Sequence, residues 1–312
     1  MLVDINQTIA LLKQGQVVAI PTETVYGLAA DASNNEALRQ IYAIKERPAD
    51  NPLIVHIADA SQVNEWAAEF PPLAQKLAKA FWPGPFTLVL PAKPHVSTIV
   101  RGNQPTVALR VPNHPVTLQL LKQSGLALAA PSANKFTQLS PTTAAHVAAG
   151  LGENVAVLDG GACKVGIEST IVSVKGDDWQ LLRLGMVPES SIEALAGRPA
   201  LKNQVNIPKV PGQHLLHYSP KTSIKLFGSR EELVNFAETS QKKCAALLIG
   251  EGITPTCKHI NLPKQAVLVA EQLYSVLHMM DNYQVELLLI ETPPNAPEWL
   301  AILDRLGRAA YQ

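Results

Sequence analysis

Side chains that bind anions or offer hydroxyls recur where this chain leaves its apolar runs. Thr22, Glu23, Thr24 and Tyr26 crowd together just after Pro21. Farther on, Lys45, Arg47, Asn51 and His56 add cations, an amide and an imidazole. Arg110 ends another apolar run, Ser132 and Asn134 follow a third, and Ser140 and Thr142 precede a helical pattern. Ser169 and Thr170 open a strand pattern that is followed by Arg183. Guanidinium forks and hydroxyl donors without a compensating run of carboxylates suit a polyphosphate or carboxylate ligand. Phosphate loops of the GxxxxGK[ST] type, GxGxxG, HExxH and GxSxG are all absent from the sequence, so a nucleotide would be held by another scheme.

Each residue alone has a plainer reading. Thr and Ser beside proline are usually turn formers. Lys45 and Arg47 could simply complement a helix C-terminus. Glu23 reads as a solvated loop charge, His56 as a core-edge histidine and Cys163 as a small buried or loop thiol. His214 and His217 stand three apart, but without a third ligand nearby a metal site is the minority reading. Only the gathering of so many polar residues at strand ends, where α/β proteins place ligands, favours a site.

Elements must hold those residues in place. Val17–Ile20 is a buried run that Pro21 ends, since proline has no N–H for the ladder. The residues to Leu28 then read as a loop, 35–45 as a helix and 53–57 as a second strand. Helices are expected over 6–14, from Ser61 to Ala68, over 72–81 and 115–123, from the string Ser140-Pro141-Thr142-Thr143 to Ala149, and from a cap at Ser190 or Ser191 to Leu195. Strands are expected over 86–90, 106–111, 126–130, 155–158, 169–174 and 179–184. Residues 198–222 lose periodicity and hold Pro199, Pro208, Pro211 and Pro220, so they read as a stiff linker. His217 and Tyr218 in it suggest a lid. Beyond it, strands at 223–227, 245–249 and 285–290 alternate with helices, including one opened by Ser229 and Glu232, which predicts a small parallel α/β unit. The expected layout is 1–197, a linker or lid over 198–222, and 223–312.

Composition sets bounds. The 312 residues are 47% hydrophobic and 17% charged, with zero formal net charge, so there is ample material for a core and no bulk attraction to nucleic acid or membrane. The 3 cysteines form no CxxC pair, which suits a reducing cytoplasm. No apolar run approaches the ~18 residues of a membrane helix.

Taken together, Pro21-Thr22-Glu23-Thr24-Val25-Tyr26-Gly27-Leu28, Lys45-Glu46-Arg47-Pro48 with Asn51-Pro52-Leu53, Pro131-Ser132-Ala133-Asn134, Ser140-Pro141-Thr142 and Glu168-Ser169-Thr170-Ile171 resemble the motifs of YrdC-type threonylcarbamoyl-AMP synthases. Pro211-Gly212 with His217-Tyr218-Ser219-Pro220-Lys221 resembles the linker of the long, two-domain form. One departure is Lys135-Phe136-Thr137-Gln138, where family members often carry Ser-Gly; it implies a differently shaped loop before Ser140. The resemblance implies a YrdC-like twisted mixed sheet with helices, plus a smaller Rossmann-like parallel α/β domain. It implies synthesis of threonylcarbamoyl-AMP and pyrophosphate from L-threonine, bicarbonate and ATP with Mg²⁺, a nucleotidyltransferase reaction feeding a separate tRNA threonylcarbamoyl transferase. By motif, Thr24, His56, Arg110, Ala130 and Ser169 would hold L-threonine. Arg47, Asn51, Thr106, Ser132, Asn134, Ser140, Arg183 and Tyr218 would hold ATP, with Lys45 and Arg47 serving catalysis and no metal ligand assigned among side chains. Two competing readings are an RNA-binding module, which the neutral charge disfavours while leaving room for weak RNA contact, and a hydrogenase-maturation enzyme passing a carbamoyl adenylate, which lacks support without zinc-finger cysteines.

Overall fold

The computed structural model describes residues 1–202, 207–212 and 217–311. The chain forms two compact units: Met1–Phe136 with Pro141–Gln213, and Thr137–Ser140 with His214–Gln312.

The first unit is built on a mixed sheet. Among the described residues its strands run, edge to edge, Leu2–Val3, Ala156–Leu158, Val18–Ile20, Gly27–Asp31, Leu128–Ala129, Ile54–His56, Thr106–Arg110, Phe86–Pro91, Thr170–Lys175 and Asp178–Arg183. Alternation along the strands divides the side chains between two faces. Leu28, Ala30, Val55 and Ala129 enter a core shared with the helices Asn35–Lys45 and Pro72–Phe81. Val18, Ile20, Ala29 and Leu128 enter another, shared with Ile5–Lys13 and Pro115–Ser124. Toward the far edge, Ile54, Val89, Ala108, Ile171 and Leu182 cluster with Val210. Part of the proline-rich stretch thus packs on the first unit's sheet: Lys209 also pairs with Asp50 at 3.0 Å, and Pro211 O accepts from Arg183 at 3.1 Å.

Sheet register supplies the site's frame. Ile54–His56 lies parallel to Thr106–Arg110 with His56 opposite Arg110. Phe86–Pro91 is antiparallel to Thr106–Arg110 and parallel to Thr170–Lys175, and Thr170 N donates to Pro85 O at 3.0 Å. The stretch expected as loop to Leu28 is a hairpin instead: Gly27–Asp31 is a strand paired antiparallel with Val18–Ile20. Its Gly27-Leu28-Ala29-Ala30 sequence lacks the β-branched residues that mark strands. Helix Asn35–Lys45 is capped by Asn34, whose side chain accepts from Glu36 N and Ala37 N, and is stopped by Glu46 in the left-handed conformation (φ 54°). That stop leaves Lys45 on the inner face of the last turn and sends Arg47 onward. Asp59, not Ser61, caps the turn Ala60–Gln62 that precedes the short helix Val63–Trp66.

The second unit has four described strands, all parallel, in the order Ser223–Phe227, Leu287–Glu291, Cys244–Ile249, Lys258–Leu262. Lys258–Leu262 was not expected from sequence; its charged and polar residues alternate with apolar ones, as befits an edge. Arg230 reaches across the strand ends to Glu291 at 2.6 Å, and Glu291 also accepts from Ile249 N. The segment Thr137–Ser140 belongs with this unit, since Ser219 N donates to Thr137 O at 2.9 Å and Gln138 bridges to Ser219. Thr137 adopts φ 68°, so the departure noted in sequence coincides with a change of backbone hand.

Candidate active site

The hairpin loop after Val18–Ile20 is folded by Thr22. Its Oγ1 donates to Val25 O at 2.7 Å and accepts from Thr24 N and Val25 N, both at 3.2 Å. With Thr22 so occupied, Thr24 faces the sheet, where its Oγ1 accepts from Arg110 Nη1 at 3.0 Å. Arg110 Nε donates to Gly84 O at 3.2 Å. Arg110 Nη2 lies 2.7 Å from Glu23 Oε1, and both side chains are buried. Glu23 is 5% exposed, so it is not the solvated loop charge that its sequence position suggested. The buried strand and hairpin on either side carry it inward. His56, opposite Arg110, is buried; burial first and the Arg110 charge second press its pKa down to about 3, so the imidazole is neutral at physiological pH. Ala130 donates its N–H to Ile54 O at 3.1 Å and packs against Gly27, where a Cβ would come within 3.0 Å of the Ala130 methyl.

Ser169 joins this group through its neighbours. Its Oγ lies 2.8 Å from Thr87 Oγ1 and accepts from Arg183 Nη2 at 3.0 Å, while Arg183 Nε donates to Ser169 O at 3.0 Å. Gly185 makes the close approach possible, since a Cβ there would run into Thr170 N and Ser169 C.

Cations and loops assigned to ATP form a second group. Lys45 Nζ donates to Ser132 O at 2.6 Å and Asn134 O at 2.7 Å from a site that is 1% exposed. Burial, then the Arg47 charge, holds its pKa well below the ordinary lysine value, while the Glu168 charge acts in the opposite sense. Lys45 therefore tethers the loop of Ser132 and Asn134 by its backbone. Arg47 Nη2 donates to Pro52 O at 3.2 Å, and its guanidinium carbon lies 5.9 Å from the Phe136 ring centroid. Tyr42 donates to Asn51 O at 2.8 Å, which fixes the Asn51 turn. Asn134 Nδ2 donates to Lys135 O at 2.8 Å, Thr106 pairs with Pro91 at the start of its strand, and Ser132 pairs with Gly27.

Ser140 and Tyr218 belong to the second unit. Ser140 O accepts from His278 Nε2 at 3.1 Å. Tyr218 is buried at φ 61°, a conformation bulky residues rarely adopt, with its ring 4.0 Å from His217 and 5.9 Å from Tyr274 and the Arg305 guanidinium 4.9 Å above it. His214 lies outside the described residues. Among those described, no group of three or more His, Cys, Asp or Glu could hold a metal ion. Cys163 is buried, and burial pushes its thiol up to about 12, so it offers no thiolate.

Sequence reasoning missed Glu23 and Thr87 as members of the site, and left Glu168 without a role. Acids inside the uncharged, apolar-flanked strings Pro21–Leu28 and Gly166–Val172 were the available signal.

Fold and site together define an α/β protein whose mixed sheet gathers buried cations and hydroxyls at its strand ends, with a second unit built on a parallel sheet. A family model described as telomere recombination (Sua5/YciO/YrdC) matches residues 10–185, and one described as the threonylcarbamoyl-AMP synthase C-terminal domain matches 187–311. The chain is 41% identical to the threonylcarbamoyl-AMP synthase of Bacillus subtilis over 98% of its own length and 92% of the relative's, and 37% identical to that of Pyrococcus abyssi over 96% and 92%. It superposes on the crystal structure of P. abyssi Sua5 complexed with L-threonine with a TM-score of 0.91, at 34% identity, covering 99% of this chain and 97% of that one. The chain belongs to the Sua5/YciO/YrdC family, in the form that carries the Sua5 C-terminal domain.

Proposed function

We propose that this protein is an L-threonylcarbamoyl-AMP synthase, a nucleotidyltransferase that joins L-threonine, bicarbonate and ATP into threonylcarbamoyl-AMP with release of pyrophosphate. The observation that carries the reading is the similarity along nearly the whole chain to threonylcarbamoyl-AMP synthases of a bacterium and an archaeon. The geometry supports the following roles. Arg110, oriented by Gly84 O and Thr24, is a fork for the threonine carboxylate. Neutral His56 offers a hydrogen-bonding ring rather than a charge, and Thr24, Ala130 and Ser169 complete the amino-acid subsite.

Arg47, Arg183 and the hydroxyls and amides of Asn51, Thr106, Ser132, Asn134 and Ser140 serve ATP. Lys45 and Arg47 neutralise charge as the carbamate oxygen displaces pyrophosphate at the α-phosphorus. Catalysis on this scheme rests on positioning and charge. Mg²⁺ would accompany ATP and supply charge neutralisation at its phosphates, beside Arg47 and Lys45. The product passes to a separate tRNA threonylcarbamoyl transferase in the cytoplasm.

The test supplies labelled bicarbonate with ATP and L-threonine and separates the nucleotides. Label enters an adenylate only when all three substrates are present, with one pyrophosphate per product. Pyrophosphate release that is indifferent to threonine refutes the reading.

A further inference from the structure

Glu23 is the buried acid for which the proposed reaction has no use so far. It sits between Thr22, which folds the loop, and Thr24, which touches Arg110. Neither of its carboxylate oxygens receives an aligned hydrogen bond from the described residues, although both are shut away from solvent. Its nearest charged partner is Arg110 Nη2 at 2.7 Å, a charge contact in which no N–H points at the oxygen. Other titratable groups around it come from separate elements. The Glu23 charge is felt by His114, at the start of helix Pro115–Ser124, and by Cys163 in the loop after strand Ala156–Leu158, whose thiol stays neutral. A buried carboxylate normally collects several donors, and leaving it without them is costly. The missing donors have to come with a ligand, and the ligand must be cationic beside the place where Arg110 takes an anion.

We propose that Glu23 holds the ammonium group of the amino-acid substrate and accepts its proton. This rests on the synthase reading, in which Arg110 holds the threonine carboxylate. An α-amino acid carries its opposite charges on adjacent groups, and the Glu23–Arg110 pair presents the complementary charges in contact. In the step that follows, one ammonium proton passes to a Glu23 oxygen, and the freed nitrogen lone pair attacks the bicarbonate carbon. The new C–N bond forms as a bicarbonate C–O bond breaks. A second nitrogen proton goes to the departing hydroxyl, which leaves as water. The Glu23 proton returns to solvent before the next turnover.

The experiment measures binding of two ligands to the full-length protein by calorimetry: L-threonine, and 3-hydroxybutanoate, which keeps the carboxylate and the hydroxyl but has no amine. Wild-type protein should bind threonine, and this arm tests the synthase reading separately. Glu23→Gln should weaken threonine by about tenfold or more, as loss of a buried charge partner does, and leave 3-hydroxybutanoate unchanged or tighter. The kcat profile of Glu23→Gln should also move to higher pH, since the amine must then lose its proton unaided. Equal weakening of both ligands would show that Glu23 acts only by holding Arg110, and unchanged threonine binding would show that it does not touch the amine; either overturns the proposal. If Glu23→Gln does not fold, Glu23→Asp keeps the charge on a shorter stem and should show the same selective loss of threonine, with the same two outcomes against it.

Discussion

Replacing Lys45 by methionine removes the charge and keeps an unbranched apolar stem in a site that is 1% exposed. Ser132 O and Asn134 O then lose charged donors at 2.6 and 2.7 Å. Each such bond contributes about 1.5–3 kcal/mol net, or about 3–6 kcal/mol for the pair. Opposing this is the cost of keeping an ammonium out of water beside Arg47, which is what depresses its pKa. Substituting an apolar group for a buried charge recovers up to several kcal/mol of that cost. The expected balance is a loss of about 1–3 kcal/mol, or a fall in Tm of roughly 2–4 °C for each kcal/mol. The functional effect should be selective. The backbone of Ser132 and Asn134 loses its tether, so ATP binding should weaken while L-threonine binding, resting on Arg110 and Thr24, is largely kept. Thermal unfolding with calorimetry of both ligands reads the two effects together. An unchanged Tm with unchanged ATP affinity would refute the tether, and a loss confined to threonine would refute the assignment of this loop.

Three further outcomes follow from individual contacts. His56 has a folded pKa of about 3, below its unfolded value near 6.5. The unfolded chain therefore binds a proton that the folded one refuses, and stability rises with pH between those values; His56→Gln should remove roughly 2 kcal/mol of the wild-type loss between pH 7 and 5, read by urea titration at both. Gly185→Ala should cost about 1–3 kcal/mol by overpacking and raise the KM for ATP, because the new methyl runs into the Ser169–Thr170 backbone that Arg183 grips; a silent substitution in denaturation and kinetics would argue against that grip. Changing Cys163, Cys244 and Cys257 together to alanine should leave turnover largely intact, and a covalent adduct trapped on any of these thiols in the wild type would contradict direct attack by the carbamate.

Much of the fold is legible in the sequence because the buried strands are short apolar runs ended by proline or polar residues. Helix Asn35–Lys45 shows in its apolar residues Leu38, Ile41, Tyr42 and Ile44, which recur at helical spacing, while its stop at left-handed Glu46 shows only in the fold. The strand Gly27–Asp31 is hidden by its alanines, and Lys258–Leu262 by its edge composition. Register is where the sequence falls silent. Nothing local says that His56 lies opposite Arg110, whose charge adds to the burial that keeps the imidazole neutral. The polar positions of the site can be picked out because hydroxyls and cations gather where apolar runs end. Glu23 escapes because a loop acid usually points to water, and only the fold shows Arg110 waiting beneath it. That Lys45 also holds the carbonyls of Ser132 and Asn134 likewise shows only in the fold.

The central claim is that Arg110 and Arg47 serve different substrates in one site. The direct test measures dissociation constants of L-threonine and ATP for Arg110→Ala and Arg47→Ala, with folding verified by thermal unfolding. Removing one partner of a buried charge contact costs ~2–5 kcal/mol, so Arg110→Ala should weaken threonine by at least tenfold with a much smaller effect on ATP, and Arg47→Ala should do the reverse. Folded variants that each lose both substrates equally would contradict the two-subsite account.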